Sequence, residues 1–262
     1  MDASMWIAKT GLEAQQMRMS TIANNLANVN TTGFKRDRAM FEDMLYQKVR
    51  TPGAQVGAGA DAQSPTGLMV GTGVRIVATE KTHAQGNMIT TKNALDLAIA
   101  GEGFFQIAQP DGTIAYSRDG AFKLSSTGQV VTANGTLLQP AITVPNNTSS
   151  LSIGQDGTVR AELTTGASQV LGQIQVARFV NPAGLQAIGG NLLKETPASG
   201  APQVLAPGQT GAGQLMQGTL EASNVNVVEE MVSMIETQRA YEVNSKAISA
   251  VDGMLRFLNN NL

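Results

Sequence analysis

Few residues in this chain have the type and spacing that chemistry needs. His83 is the single histidine and there is no cysteine, so a His/Cys zinc cluster has no ligands to draw on. No Gly-x-Ser-x-Gly elbow offers His83 a nucleophile. Asp111, Asp119 and Asp156 could serve as acid/base pairs or calcium ligands, but each immediately precedes a glycine. Asp-Gly is a turn dipeptide, because Asp accepts hydrogen bonds from its own following backbone and Gly takes positive φ. All three are therefore read as turn residues. Gly101-Glu102-Gly103 lacks the third glycine of a dinucleotide loop and leads into no helix. The glycines of Thr51 to Gly73 lack phosphate-loop spacing, and no Gly-Lys-Ser/Thr ends them. Lys35, Arg36 and Arg38 could cradle an anion; the plainer reading is a solvated loop. Acids and amides between Met216 and Val232 read as a helix cap and a helix face. The expectation is no catalytic residue, no cofactor and no metal: the protein is not an enzyme. A cell-wall hydrolase in particular would need an acid/base pair or a metal cluster.

The composition points to packing instead. With 262 residues the chain can hold two domains, and 18 Lys+Arg stand against 20 Asp+Glu. That balance steers the protein toward neither nucleic acid nor an anionic membrane. Charged residues are 15% of the chain, against about 25% in ordinary soluble domains, so part of the surface is expected to be covered by neighbours. No apolar run reaches the roughly 18 residues of a membrane span, so no membrane insertion is expected. Lys9, Glu13, Gln15, Gln16 and Arg18 interrupt any apolar core of a secretory signal. Export, if it occurs, is expected by another route.

Long helices are predicted at the two ends. Val227, Met234, Tyr241, Ile248, Leu255 and Leu262 fall on one seven-residue line, the period of a helix packed along a seam. Asn226 followed by Glu229 reads as its capping box. Near the other end, Met5, Leu12, Met19 and Leu26 form a second line, with Ala8, Ile22 and Val29 three residues on. Thr31-Thr32-Gly33 is read as the end of that helix, Gly33 taking the left-handed cap. The remaining faces are mostly small and uncharged (Ser4, Gly11, Ala14, Ser20, Asn24, Asn25). Two readings follow: a two-helix coiled coil with a bland exterior, or helices that pack on identical neighbours.

Between the helices, a short helix is expected near Met40 to Gln47. A Gly/Pro-rich loop follows from Thr51 to Gly73, too long and aperiodic for an ordinary connection. From Val74 to Gly200 the period becomes two, with Asp111-Gly112, Asp119-Gly120, Thr127-Gly128, Asn134-Gly135 and Asp156-Gly157 as turns. A second Pro/Gly-rich connection, Pro197 to Gly213, leads back. The fold class expected is α+β: long N- and C-terminal helices paired as a coiled coil, with a mainly antiparallel β domain inserted between them.

Four segments together resemble one family, the axial proteins of the bacterial flagellum (rod and hook). They are Ile22-Ala23-Asn24-Asn25-Leu26-Ala27-Asn28 with Thr32-Gly33-Phe34-Lys35; Gly101-Glu102-Gly103-Phe104-Phe105 with Tyr116 to Phe122; Gly190-Asn191-Leu192 with Glu195-Thr196 and Ser199-Gly200; and Leu220 to Asn226, then Glu229 to Ile235 and Gln238-Arg239-Ala240-Tyr241-Glu242, with Asn244-Ser245-Lys246. Chain length and the loop Tyr46-Gln47, Arg50, Pro52-Gly53-Ala54-Gln55 resemble the family's distal rod subunits. A proximal rod or hook subunit is the alternative within the family, and an adhesin-like β module on a coiled-coil stalk the alternative outside it.

The resemblance implies a plan. Residues 1–33 and 225–262 would form the inner layer of a hollow helical tube. Residues 34–73 would connect them to the body and carry the loop at 46–73. The outer β domain would span 74–200, and 201–224 would return the chain. Subunit contacts would fall on Met5, Leu12, Met19, Ile22, Asn24, Asn25 and Leu26, and on Val227, Met234, Tyr241, Ile248, Leu255 and Leu258. The loop's own contacts would fall on Tyr46, Gln47, Arg50, Pro52, Gly53, Ala54 and Gln55. Implied partners are further copies of the chain, proximal rod proteins, hook protein, peptidoglycan-ring and outer-membrane-ring proteins, and the flagellar export apparatus. Implied localisation is the basal body, in a rod spanning the periplasm.

Overall fold

Helix α1 (Ala3–Ala27) opens the chain and α2 (Val227–Asn260) closes it in the structure, a computed structural model. Residues 3–53, 66–209 and 211–260 are described, those of Ala3, Leu255, Leu258, Asn259 and Asn260 by backbone alone. The expected roles of Ala54, Gln55, Leu255, Leu258 and Leu262 therefore lie outside the described residues or side chains. α1 has neither Gly nor Pro except Gly11. α2 begins one residue after Asn226, with Glu229 and Glu230 in its first turn, where carboxylates oppose the helix dipole. α1 ends at Ala27, six residues before Gly33, so Gly33 is not its cap. Neither helix is long and apolar enough to cross a membrane.

The chain falls into two compact units. One contains residues 1–26, 37–80 and 227–262; the other contains 27–36 and 81–226.

In the first unit, α1 meets α2 along its length. Asn25 Nδ2 donates to Glu230 Oε2 at 3.4 Å, Arg18 lies 4.0 Å from Glu236, and a Cβ on Gly11 would lie 3.2 Å from Asn244 Nδ2. Residue numbers fall along α2 as they rise along α1, so the helices run antiparallel. The same unit holds the strand Asp37–Asp43, which pairs with Val74–Lys81, and the antiparallel pair Gln47–Arg50 and Leu68–Val70. The short helix expected near Met40 to Gln47 is thus replaced by strands. Their side chains explain why: Arg38 pairs with Glu80 at 3.1 Å and Arg75 with Glu42 at 2.8 Å, opposite charges reaching across two paired strands.

The second unit is almost wholly antiparallel β. Its largest sheet places Gln186–Gly189, Leu192–Lys194, Ile114–Ser117, Phe104–Ala108, Leu137–Gln139, Val130–Val131 and Lys123–Leu124 side by side; Val176–Arg178 joins Phe104–Ala108, and Gln203–Leu205 joins it in turn. Register is set by pairs such as Gln106↔Tyr116 and Leu138↔Ile107. A three-stranded sheet (Thr148–Ile153, Thr158–Leu163, Ser168–Gln173) and two short pairs complete the unit. Phe105, Ile107, Phe122, Leu138, Ile142, Ile174 and Leu215 are buried together, each a contribution of about 1.5–3 kcal/mol from removing apolar surface from water. Gly112, Gly128, Gly135 and Gly157 take positive φ at the expected turns.

Candidate assembly surface

The helices bury polar Asn25, Glu230 and Thr237, leave the Arg18–Glu236 pair largely exposed, and show much apolar surface. Gly11, Arg18 and Asn25 are spaced by seven in α1, and they meet Asn244, Glu236 and Glu230 in α2. Asn25, Glu230 and Thr237 are each 1% exposed, while Ala14 and Ile22 are the buried apolar residues of α1. Of the lines expected to form the seam, Ile22 is buried. Met5, Leu12, Met19, Leu26, Met234 and Ile248 are half-buried, and Val227 and Tyr241 are exposed. Small Gly11 permits close approach, and Asn25 fits only because its amide is fully used: Oδ1 accepts from Asp37 N–H and Nδ2 donates to Asp37 O, both at 2.9 Å. Asn24, exposed, donates to Asp37 Oδ2 at 3.2 Å.

Part of what remains outside is apolar. Val228, Met231, Val232 and Ile235 are exposed on α2, at i, i+3, i+4 and i+7 spacing that shares one face. Met254 and Phe257 are exposed further along and border a shallow hollow with Ala250 and Gly253. Trp6, Ile7 and Met17 are exposed on α1. In the loop region Leu45 is 92% exposed, beside Tyr46, Val49, Leu68, Met69 and Val70. Gln47, Arg50, Pro52 and Gly53 are exposed too. Exposed apolar side chains grouped on one face are a common mark of partner contacts.

The carboxylates read as turn residues behave as such at all three positions. Asp111 Oδ1 accepts from Thr113 N–H and Oγ1 at 2.9 and 2.6 Å; Asp156 does the same for Thr158. These bonds hold both carboxyls below the usual range. Asp119 Oδ1 likewise accepts from the N–H two residues on, Ala121, at 3.2 Å, and also from Thr32 Oγ1 at 2.9 Å. Among the described residues no group of three His, Asp or Glu could hold a metal.

The second unit holds a polar centre that local pattern did not reveal. Lys35, expected in a solvated loop, is 4% exposed and paired with Glu221. Glu221 also accepts from Arg118 Nη1 at 3.2 Å and from Gly86 N–H at 2.9 Å. Burial pushes the Lys35 ammonium down while Glu221 pulls it back up. The imidazole of His83 is held down at about 4, first by burial and then by Lys35, Arg118 and Lys81. Arg36 and Arg38 do lie outside this cluster, Arg38 exposed. Gly33 has a reason for its φ of 68°: a Cβ there would strike the Arg118–Asp119 backbone, and its N–H donates to Glu221 O at 2.8 Å.

Comparisons with known proteins agree across the chain. The family profile described as flagella basal body rod protein matches residues 5–35. The flagellar hook protein FlgE/F/G D1 domain matches 98–161, and the flagellar basal body rod FlgEFG protein C-terminal region matches 216–261. The chain is 51% identical over 258 residues to the flagellar basal-body rod protein FlgG of Buchnera aphidicola subsp. Acyrthosiphon pisum, covering 98% of each. It is 48% identical to that of Borreliella burgdorferi, covering 98% of this chain and 97% of the relative. Identity to the FlgF protein of Caulobacter vibrioides is 35%, over 92% of this chain and 90% of that one. A solved Helicobacter pylori flagellar hook protein, FlgE2, matches with a TM-score of 0.24 at 17% identity, over 60% of this chain and 47% of that one, a likeness too slight to support any argument.

Proposed function

The chain belongs to the flagellar basal-body rod proteins of the FlgG kind, and on that premise we propose that it is a structural subunit of the distal rod. Copies polymerise into a hollow, straight helical shaft that carries motor torque across the periplasm to the hook. Its channel lets exported subunits pass. The protein is not an enzyme; its work is done by packing.

The observation that supports this reading is the exposed apolar face of α2, from Val228 to Ile235. A free-standing pair of helices would turn such residues inward. Here the buried helix positions are Asn25 against Glu230, with Thr237, Ala14 and Ile22, which leaves the apolar face for neighbouring copies. In the polymer the two helices line the inner layer, and Met5, Leu12, Met19, Val227, Met234, Tyr241, Ile248, Leu255 and Leu258 supply its contacts. Residues 46–73 wedge between copies and keep the shaft straight. Proximal rod proteins, hook protein and the ring proteins of the peptidoglycan and outer membrane are its neighbours, and the flagellar export apparatus delivers it.

The purified full-length chain should form straight, hollow filaments seen by electron microscopy at raised concentration. Discrete small oligomers at every concentration would overturn the reading. A monomer whose helices are marginal alone should lose roughly the circular dichroism signal that deletion of both ends removes; a fully helical, protease-resistant monomer would count against coupled folding and assembly.

A further inference from the structure

Ala250, Gly253, Met254 and Phe257 wall a hollow of about 490 Å³ on α2. Their i, i+3, i+4 and i+7 spacing puts them on one face, and four such residues make the hole that receives one side chain of a facing helix. All four are exposed. Gly253 leaves the middle open: a Cβ there would meet nothing within 4 Å. Glycine weakens a helix interior, and no described neighbour in the chain requires it here. The inward line of α2, Glu230, Thr237, Asn244 and Val251, is buried or half-buried on another side. Steps of three and four residues lead from the hollow through Lys246 and Val243 toward exposed Ile235, Val232 and Val228. The hollow thus continues the face already assigned to neighbouring copies.

The outer face of α1 carries a side chain large enough to fill it. Trp6, Lys9, Glu13, Met17 and Ser20, again three or four apart, are all exposed, Trp6 at 45%. Within one chain Gly11 stands level with Asn244 and Asn25 with Glu230. That register sets Lys9 level with Lys246 and Glu13 with Glu242, like charges at both places. A second copy's α1 laid on the outer face of α2 therefore does not repeat it. Copies in a helical filament share one polarity, so that α1 also runs antiparallel to this α2. Moved about five residues along, roughly 7 Å, it sets Trp6 over the hollow, Glu13 beside Lys246 and Met17 against Val243. Lys246 makes no ion pair among the described residues. Glu13 holds Lys9 at 3.6 Å in an exposed pair, a weak tie in water that leaves its carboxylate open to a second cation. We propose that Trp6 of a second copy fills the hollow between Ala250, Gly253, Met254 and Phe257. The inference rests on the self-assembly reading above and names a site and a register for it.

Trp6 is the single tryptophan, so its fluorescence reports the site directly in the full-length chain. On polymerisation its emission should shift to the blue and its quenching by acrylamide should fall about fivefold. Gly253→Leu fills the hollow in a place open enough to leave the monomer's circular dichroism unchanged, and should lower the sedimenting, polymerised fraction about tenfold. Since the chain has no cysteine, a third measurement needs no background removal. Equal parts of Lys9→Cys and Ala250→Cys chains, polymerised and oxidised, should give disulfide-linked dimers that neither variant gives alone. A polymer whose Trp6 is quenched as in the monomer, a Gly253→Leu chain that sediments like wild type, or a polymer without the mixed disulfide overturns this site while leaving the filament reading standing. A wild-type chain that never sediments overturns both.

Discussion

Glu221 is the residue on which the second unit's polar interior turns. It is 1% exposed and accepts from Lys35, Arg118 and the Gly86 N–H. Glu221→Gln would keep the shape and strand two buried cations, a loss of about 3–5 kcal/mol measurable by urea unfolding. Lys35→Met should cost less, since Arg118 still neutralises the carboxylate. His83 adds a pH dependence. Its folded proton affinity is below that of the unfolded chain, about 4 against 6.5, so the unfolded state binds the extra proton between those values. Its contribution is complete above about pH 6.5 and is lost as pH falls through 4. Stability should drop over that window, and His83→Gln should flatten the drop. None of this was legible locally. Lys35 lies in a short run of basic residues that looks solvated, and its partner is 186 residues away. Sequence spacing carries no trace of such a pair.

At the scale of elements, the two helices show what a seven-residue period can and cannot say. In α1 the contacts at 11, 18 and 25 are seven apart, but the residues they meet in α2, 244, 236 and 230, are eight and six apart. Which of the several lines turns inward was settled by something else: the Asn25 amide tied to the Asp37 backbone, and the room that Gly11 leaves. Asn25→Ala should therefore destabilise the first unit by about 1–3 kcal/mol, because it leaves the Asp37 N–H and C=O without that partner. Asn24→Ala, on the exposed neighbour, should change little; melting followed by circular dichroism at the helix band separates the two. Gly11→Leu should push α1 from α2 at Asn244 and weaken the pair, where Gly253→Ala, with open space around it, should not. The strands that replaced the helix expected near Met40 follow the same logic. Arg38 with Glu80 and Arg75 with Glu42 are pairings between distant segments, and short apolar runs do not distinguish helix from strand by period.

For the whole molecule, the prediction concerns shape under assembly. Deleting Gln47 to Gln63 should leave a chain that still polymerises through its helices but into curved or irregular filaments; unchanged straight rods by electron microscopy would remove the loop from the explanation. Replacing Val232 and Ile235 with Asp on the exposed face of α2 should leave the monomer's stability within about 0.5 kcal/mol and abolish polymerisation. That pairing of outcomes separates a surface kept for neighbours from one needed for folding.

Sequence alone determined the plan: helices at both ends, an antiparallel β region between Asp-Gly and Asn-Gly turns, no catalytic constellation, and membership of a family built to assemble. Those features are written in local spacing, where each residue's preference reads directly on the chain. Tertiary structure decided which helix line faces inward, where the strands of residues 37–50 pair, and that Lys35, Arg118 and Glu221 share one buried site. These depend on distant segments meeting, and the energy that selects among them, desolvation against pairing, exists only once they have met.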